Sequence, residues 1–172
     1  MIRKEIFGMD MKMNANQNEQ VPLDGLEPAV DPCYEKGDQV TLLVDHVMAH
    51  MIMKMKGAPA TIVAGYHTRA YAVDFYTTND HTFVKDHKWI IQREIKGETD
   101  DSPALANGTE ITMEAAHMPG MKGAKATIVD SADENIYIVD VPPYQGQQAM
   151  MNHRWFLQSE MQTREATEET GD

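Results

Sequence analysis

His117, Met118 and Met121 fall within five residues of one another in the stretch HMPGMKGA. An imidazole beside two thioethers is a donor set for a soft metal: thioethers select Cu(I), and imidazole also takes Cu(II) and zinc. An earlier stretch, DHVMAHMIMKMKGA from Asp45 to Ala58, carries more donors of the same kind. There His46, Met48, His50, Met51, Met53 and Met55 lie within ten residues. If that backbone is extended, Met51, Met53 and Met55 share one face with period two. Methionine also fills irregular cores, and Met53 and Met55 taken alone read as core residues. The Pro119-Gly120 pair marks a turn, and turns run over the surface. The thioethers flanking it are therefore expected to face outward, free to hold an ion.

These segments are two copies of one unit. Met55–Glu94 aligns with Met121–Glu160 at a shift of 66 residues without a gap, and 15 of the 40 positions are identical. A repeat of this length divides the chain before any other signal is considered. It also filters residues, because a type present in both copies bears on what the unit does. His87-Lys88-Trp89 and His153-Arg154-Trp155 survive that filter. One reading adds His87 and His153 to the metal site. The other makes each Trp a barrel's main core residue, with the neighbouring His satisfying a hydrogen bond. Asp74 and Asp140 also recur, inside strand-like segments, and suggest a turn or edge role.

Composition narrows the partners. Fifteen basic against 27 acidic side chains leave a net charge of −12, opposite in sign to what phosphate contacts require, so a nucleic-acid partner is not expected. Cys33 is the single cysteine, which excludes an intrachain disulfide or thiolate cluster. No apolar run approaches the roughly 20 residues of a membrane span. The stretch MIRKEIFGMDMKM lacks the apolar centre of a signal peptide. Hydrolytic and phosphate-binding motifs are absent, so a non-catalytic protein is expected.

The elements that must position the donors read as strands. QVTLLV pairs in type with EITME, ATIV follows KGA in both copies, RAYAVDFY matches NIYIVDV, and KWIIQREI matches RWFLQSEM. Short strands with turn residues every 8–12 positions argue a small barrel. The expected fold is all-β, with two tandem small SH3-like β-barrels. The expected division is an extended, disordered arm over 1–35, a first repeat over 36–96, a linker over 97–106, a second repeat over 107–161 and an acidic, solvated tail over 162–172. A tandem SH3-like pair also admits a non-metal function. Trp89, Trp155, Tyr71 and Tyr137 would then line an open groove for a peptide or cell-wall polymer, and the Met segments would be packing.

The run HMPGMKGA…ATIV…YIVDV…NHRWFLQSEM resembles the YdhK family of Gram-positive bacteria, over roughly Pro22 to Met161. Members typically carry two tandem units behind a lipoprotein signal and include CopL, a copper-binding lipoprotein of staphylococci. The resemblance implies a cell-surface protein, anchored to the membrane in its full-length form, that binds copper and limits its toxicity; the thioethers themselves favour Cu(I), and His with Met could also hold Cu(II) more weakly. The family pattern His-Met-x-Gly-Met-Lys-Gly falls on His117, Met118, Gly120, Met121, Lys122 and Gly123. The first copy departs from it, with Asp45-His46 followed by a longer Met/His run ending in Met55-Lys56-Gly57. His46 and His50 both remain candidates for the family's imidazole there. Cys33 follows Ala-Val-Asp-Pro, which does not resemble a lipobox.

Overall fold

The computed structural model describes residues 19–164 apart from 49 and 50; the side chains of 47–48 and 51–53 are likewise outside the description. The chain is all-β. In order, β1 is Gln39–Leu42, β2 His46–Met48, β3 Met51–Met53, β4 Pro59–Tyr76, β5 Phe83–Ile91, β6 Glu110–Thr112, β7 Lys125–Val141, β8 Met150–Leu157 and β9 Met161–Thr163. Seven of these form an open antiparallel sheet of order β6-β7-β4-β1-β9, with β5 on β4 and β8 on β7, while β2 and β3 pair with each other. That order does not itself close into the tandem SH3-like barrels expected from the strand pattern.

Two features of the repeat explain the local geometry. The recurring Met-Lys-Gly-Ala is a tight turn: Ala58 N–H donates to Met55 O and Ala124 N–H to Met121 O, at 2.9 and 3.0 Å. Gly57 and Gly123 supply the left-handed third position, with φ of 91° and 86°, which glycine adopts without a Cβ penalty. The second feature is length. ATIV and RAYAVDFY, read as separate strands, run as one 18-residue strand, and the second copy does the same over 17 residues.

Those long strands make the compact units cut across the sequence repeats. The first unit takes residues up to Gly25, Val47–Ile52 and Arg69–Ala132; the second takes Leu26–His46, Met53–Thr68 and residues from Asp133 on. Each unit thus joins the leading half of one repeat to the trailing half of the other.

In the first unit, β6 pairs with the start of β7 (Glu110↔Thr127), β5 pairs with the end of β4 (Ala70↔Ile91), and Ile95 bridges to Met113. Its core packs Tyr71, Val73, Phe75, Ile90, Ile95, Met113, Met118, Met121 and Ile128. In the second unit, β1 pairs with the start of β4 (Gln39↔Thr61) and with β9 (Leu42↔Met161), and β8 pairs with the end of β7 (Ile136↔Leu157). Val40, Leu42, Ile62, Tyr137, Val139, Trp155 and Phe156 are buried there.

Three expectations need correction. The part of the arm within the description, from residue 19, is fastened down. Leu26 and Tyr34 are buried, and Tyr34 packs edge-on against Tyr137 with ring centroids 5.5 Å apart. The linker is likewise held: Leu105 N–H donates to the Tyr71 hydroxyl at 3.0 Å, and Gln92 Nε2 reaches the carbonyls of Ser102 and Pro103. At the far end Gln162 and Thr163 belong to β9 and pair with β1, so the solvated tail does not begin at 162. In each case buried aromatic or backbone partners absorb a segment that composition alone marks as loose.

Candidate functional site

In the first unit the site starts from Asp74. Its Oδ1 accepts the N–H of Asp86 at 2.6 Å, where β4 and β5 shift register. Asp86 sits at φ 54°, a left-handed conformation that Asp tolerates better than most side chains. The kink turns the next residue, His87, inward, where it is 2 % exposed. This is the role of the recurring strand aspartate. After β5 the chain makes a 3₁₀ turn at Gln92–Glu94, and Glu94 Oε1 accepts Ile91 N–H at 3.0 Å. Glu94 is fully buried. Its other oxygen, Oε2, stands 2.9 Å from His117 Nε2, and its backbone carbonyl accepts the N–H groups of Glu114 and Ala115. The rings of His117 and His87 are 6.2 Å apart at 45°. Met121 joins them, its Sδ accepting the His117 N–H at 3.4 Å.

The second unit repeats the arrangement. Asp140 Oδ1 accepts Asn152 N–H at 2.8 Å, Asn152 has φ 53°, and His153 follows. Glu160 closes the 3₁₀ turn Gln158–Glu160 and accepts Leu157 N–H at 3.0 Å. His46 Nε2 is 3.4 Å from Glu160 Oε1, and the His46 and His153 rings are 6.2 Å apart at 39°. His46 also stacks on Phe156 at 4.2 Å. The neighbouring Asp45 organises the turn: its Oδ1 accepts the N–H groups of Met55 and Lys56, both at 2.8 Å. Those bonds, with the charges of Lys54 and Lys56, hold its carboxyl below the usual range.

The structure therefore brings His87 to His117 and His153 to His46, which the sequence left as further candidates. It does not place the thioethers of Met118 and Met121 where the sequence put them. Met55, Met118 and Met121 are buried at 1, 4 and 0 % exposure. The turn itself reaches solvent at Pro119, but the residues on its shoulders point into the core. The outward-facing donor loop is thus an inward-facing one. His50 lies outside the described residues, as do the side chains of Met51 and Met53. The aromatic groove fails on the same ground, since Trp89, Trp155, Tyr71 and Tyr137 are all buried. The two tyrosines donate inward, Tyr71 to Gln92 at 2.6 Å and Tyr137 to Gln158 at 2.7 Å, and burial pushes the Tyr137 hydroxyl up to about 12.

Sequence reasoning missed Glu94 and Glu160. The signal was present, because they are the last identical pair of the repeat, yet they read as the outward positions of a continuing strand. The 3₁₀ turn reverses that.

Two observations bear on whether these residues fit a metal. His117 Nδ1 and both His46 ring nitrogens are buried without a hydrogen-bond partner among the described residues, and a buried nitrogen lone pair is a donor. Among the described residues no three His, Cys, Asp or Glu side chains stand close enough to cage an ion by themselves. Nitrogen and oxygen alone do not complete a site, and sulfur from the adjacent methionines would have to. The donor set thus fits a soft ion better than a hard one.

Two matches to one family profile, over residues 36–92 and 107–158, are to a protein of unknown function, DUF1541. The uncharacterized protein YdhK of Bacillus subtilis is 36 % identical over 150 residues, spanning 87 % of this chain and 69 % of that protein. A crystal structure of that DUF1541 protein superposes with a TM-score of 0.76, covering 91 % of this chain and 98 % of the other. A solution structure of the ydhK C-terminal domain gives 0.65 over 76 % of this chain and 94 % of the other. With both repeats matched and the same fold, the chain belongs to the DUF1541 family.

Proposed function

We propose that the protein binds copper without catalysis, at two related sites, one per compact unit. In the first unit His117, His87 and the thioethers of Met118 and Met121 would hold the ion. In the second His46, His153 and Met55 would do so. The observation that carries this reading is the duplicated convergence of two imidazoles, 6.2 Å apart in both units, with buried Met121 against His117 in the first and buried Met55 at the matching repeat position in the second. One ion held between two imidazoles by bonds of about 2.0 Å leaves their rings roughly 6 Å apart when they sit across it. Copper(I) suits the surroundings, because thioether and imidazole select it and a singly charged ion is less costly to bury among apolar side chains than a doubly charged one. With the family resemblance, the reading extends to copper tolerance at the cell surface, in a membrane-anchored full-length protein.

The test is a competition titration of Cu(I) against a chromophoric chelator, under reducing conditions. Two ions should be withdrawn from the chelator per chain, and replacing His117, Met118 and Met121 together should remove one. A curve identical to chelator alone, or one unmoved by that triple replacement, overturns the proposal.

A further inference from the structure

We propose that Glu94 is a positioning residue that decides which nitrogen of His117 meets the metal. This rests on the copper reading and goes beyond it to the donor atom. An ionised carboxylate only accepts hydrogen bonds. The 2.9 Å contact between Glu94 Oε2 and His117 Nε2 occupies that nitrogen, and against an ionised Glu94 it is Nε2 that would carry the proton. Protonating Nδ1 as well would bury an N–H with no acceptor among the described residues, and an unmade buried hydrogen bond is costly. The neutral ring with Nε2–H is left, and its Nδ1 carries the lone pair. Glu94 cannot swing away. Its second oxygen is held by Ile91 N–H at 3.0 Å, its carbonyl by Glu114 and Ala115, and it has no solvent exposure. The carboxylate–imidazole–metal arrangement is a recurrent one, in which the acid fixes the tautomer and raises ligand basicity. Here the trailing half of one repeat supplies the acid and the leading half of the other supplies the imidazole. In the second unit His46 Nε2 lies 3.4 Å from Glu160 Oε1, the oxygen that accepts Leu157 N–H, without a hydrogen bond between them.

The experiment reads imidazole nitrogens directly. Uniformly ¹⁵N-labelled protein is examined by long-range ¹H–¹⁵N correlation, metal-free and then with Ag(I), a diamagnetic substitute for Cu(I). Without metal, His117 should show the Nε2–H tautomer. With Ag(I), its Nδ1 resonance should move while Nε2–H persists. Glu94→Gln keeps an acceptor for Ile91 N–H but removes the charge. It should leave the fold's amide spectrum intact and weaken Ag(I) binding about 10- to 100-fold, whereas a carboxylate needed only for folding would leave affinity unchanged. An Nδ1–H tautomer in the metal-free protein, or an Ag(I) shift at Nε2, overturns the inference while leaving copper binding standing. Absence of any Ag(I) response at the imidazoles overturns both. The tautomer is read on the unsubstituted protein, so the inference stays exposed to refutation even if the variant does not fold.

Discussion

Truncating Glu94 to alanine should be among the most damaging single changes in the first unit. The side chain is fully buried and satisfies Ile91 N–H at 3.0 Å and, with the tautomer inferred above, His117 Nε2–H at 2.9 Å. Glu94→Ala leaves both buried and unpaired, at about 1–3 kcal/mol each, and loses about 0.8 kcal/mol for the missing methylene. Against this stands relief from holding a carboxylate out of water. The net expectation is about 3 kcal/mol, a large share of the 5–15 kcal/mol that typically separates folded from unfolded chains. Glu94→Gln should cost less, because its carbonyl still serves Ile91 and only one group, on the His117 ring, loses its acceptor. The assay is urea unfolding with chelator present, followed by tryptophan emission, for which buried Trp89 is a local reporter. With a slope of about 1–3 kcal/mol per molar urea, Glu94→Ala should lower the midpoint by roughly 1–3 M. Should Glu94→Ala fall within about 0.5 kcal/mol of the parent, or Glu94→Gln prove as damaging, the carboxylate is not holding those two donors.

Two further outcomes follow from the second unit. Gly65 lies within β4, where an added Cβ would come 2.6 Å from Tyr137 Cε2; Tyr137 is fully buried, so Gly65→Ala should cost about 1–3 kcal/mol by overpacking, and a chain of unchanged urea midpoint would refute that contact. Tyr137, raised to about 12 by burial, is favoured neutral in the fold, so its contribution is complete below about pH 10, the unfolded value, and is lost as pH rises through about 12. Alkaline absorbance titration should show a late phenolate step that Tyr137→Phe removes; a titration curve left unchanged by that substitution refutes the assignment.

Much of this was legible in the residues. The repeat, the strands, the Met-Lys-Gly-Ala turn and the recurrence of His87 with His153 all follow from identity and period. What was not legible has physical causes. A Pro-Gly turn marks where the chain reverses, not where its shoulders point, so Met118 and Met121 were read outward when their backbone leads them into the core. Glu94 and Glu160 end segments whose alternation is that of a strand. Whether the chain continues extended or tightens into a 3₁₀ turn depends on the carboxylate capping its own backbone three residues back, a local side-chain bond invisible to periodicity. The first 35 residues look disordered by composition, but within their described part Leu26 and Tyr34 find buried places.

The assembly of each unit from two repeats has a cause in the long strands. Duplicated halves carry the same complementary surfaces, so a leading half fits its own trailing half or that of its copy with similar local contacts. The connection between them decides. In β4 the link from ATIV to RAYAVDFY is Ala64-Gly65-Tyr66-His67-Thr68, and in β7 the link from ATIV to NIYIVDV is Asp130-Ser131-Ala132-Asp133-Glu134. Neither contains a Pro, or the Asn-Gly or Asp-Gly pair that a tight hairpin favours. Both stay extended, and each strand runs from one compact unit into the other. The chemistry follows from that connection. Because the strands do not turn back, the imidazole of each Met/His segment meets the carboxylate and the second imidazole of the other repeat, His117 with Glu94 and His87, His46 with Glu160 and His153. A change in the Met/His segment of one repeat is therefore felt first by the His-x-Trp of its copy.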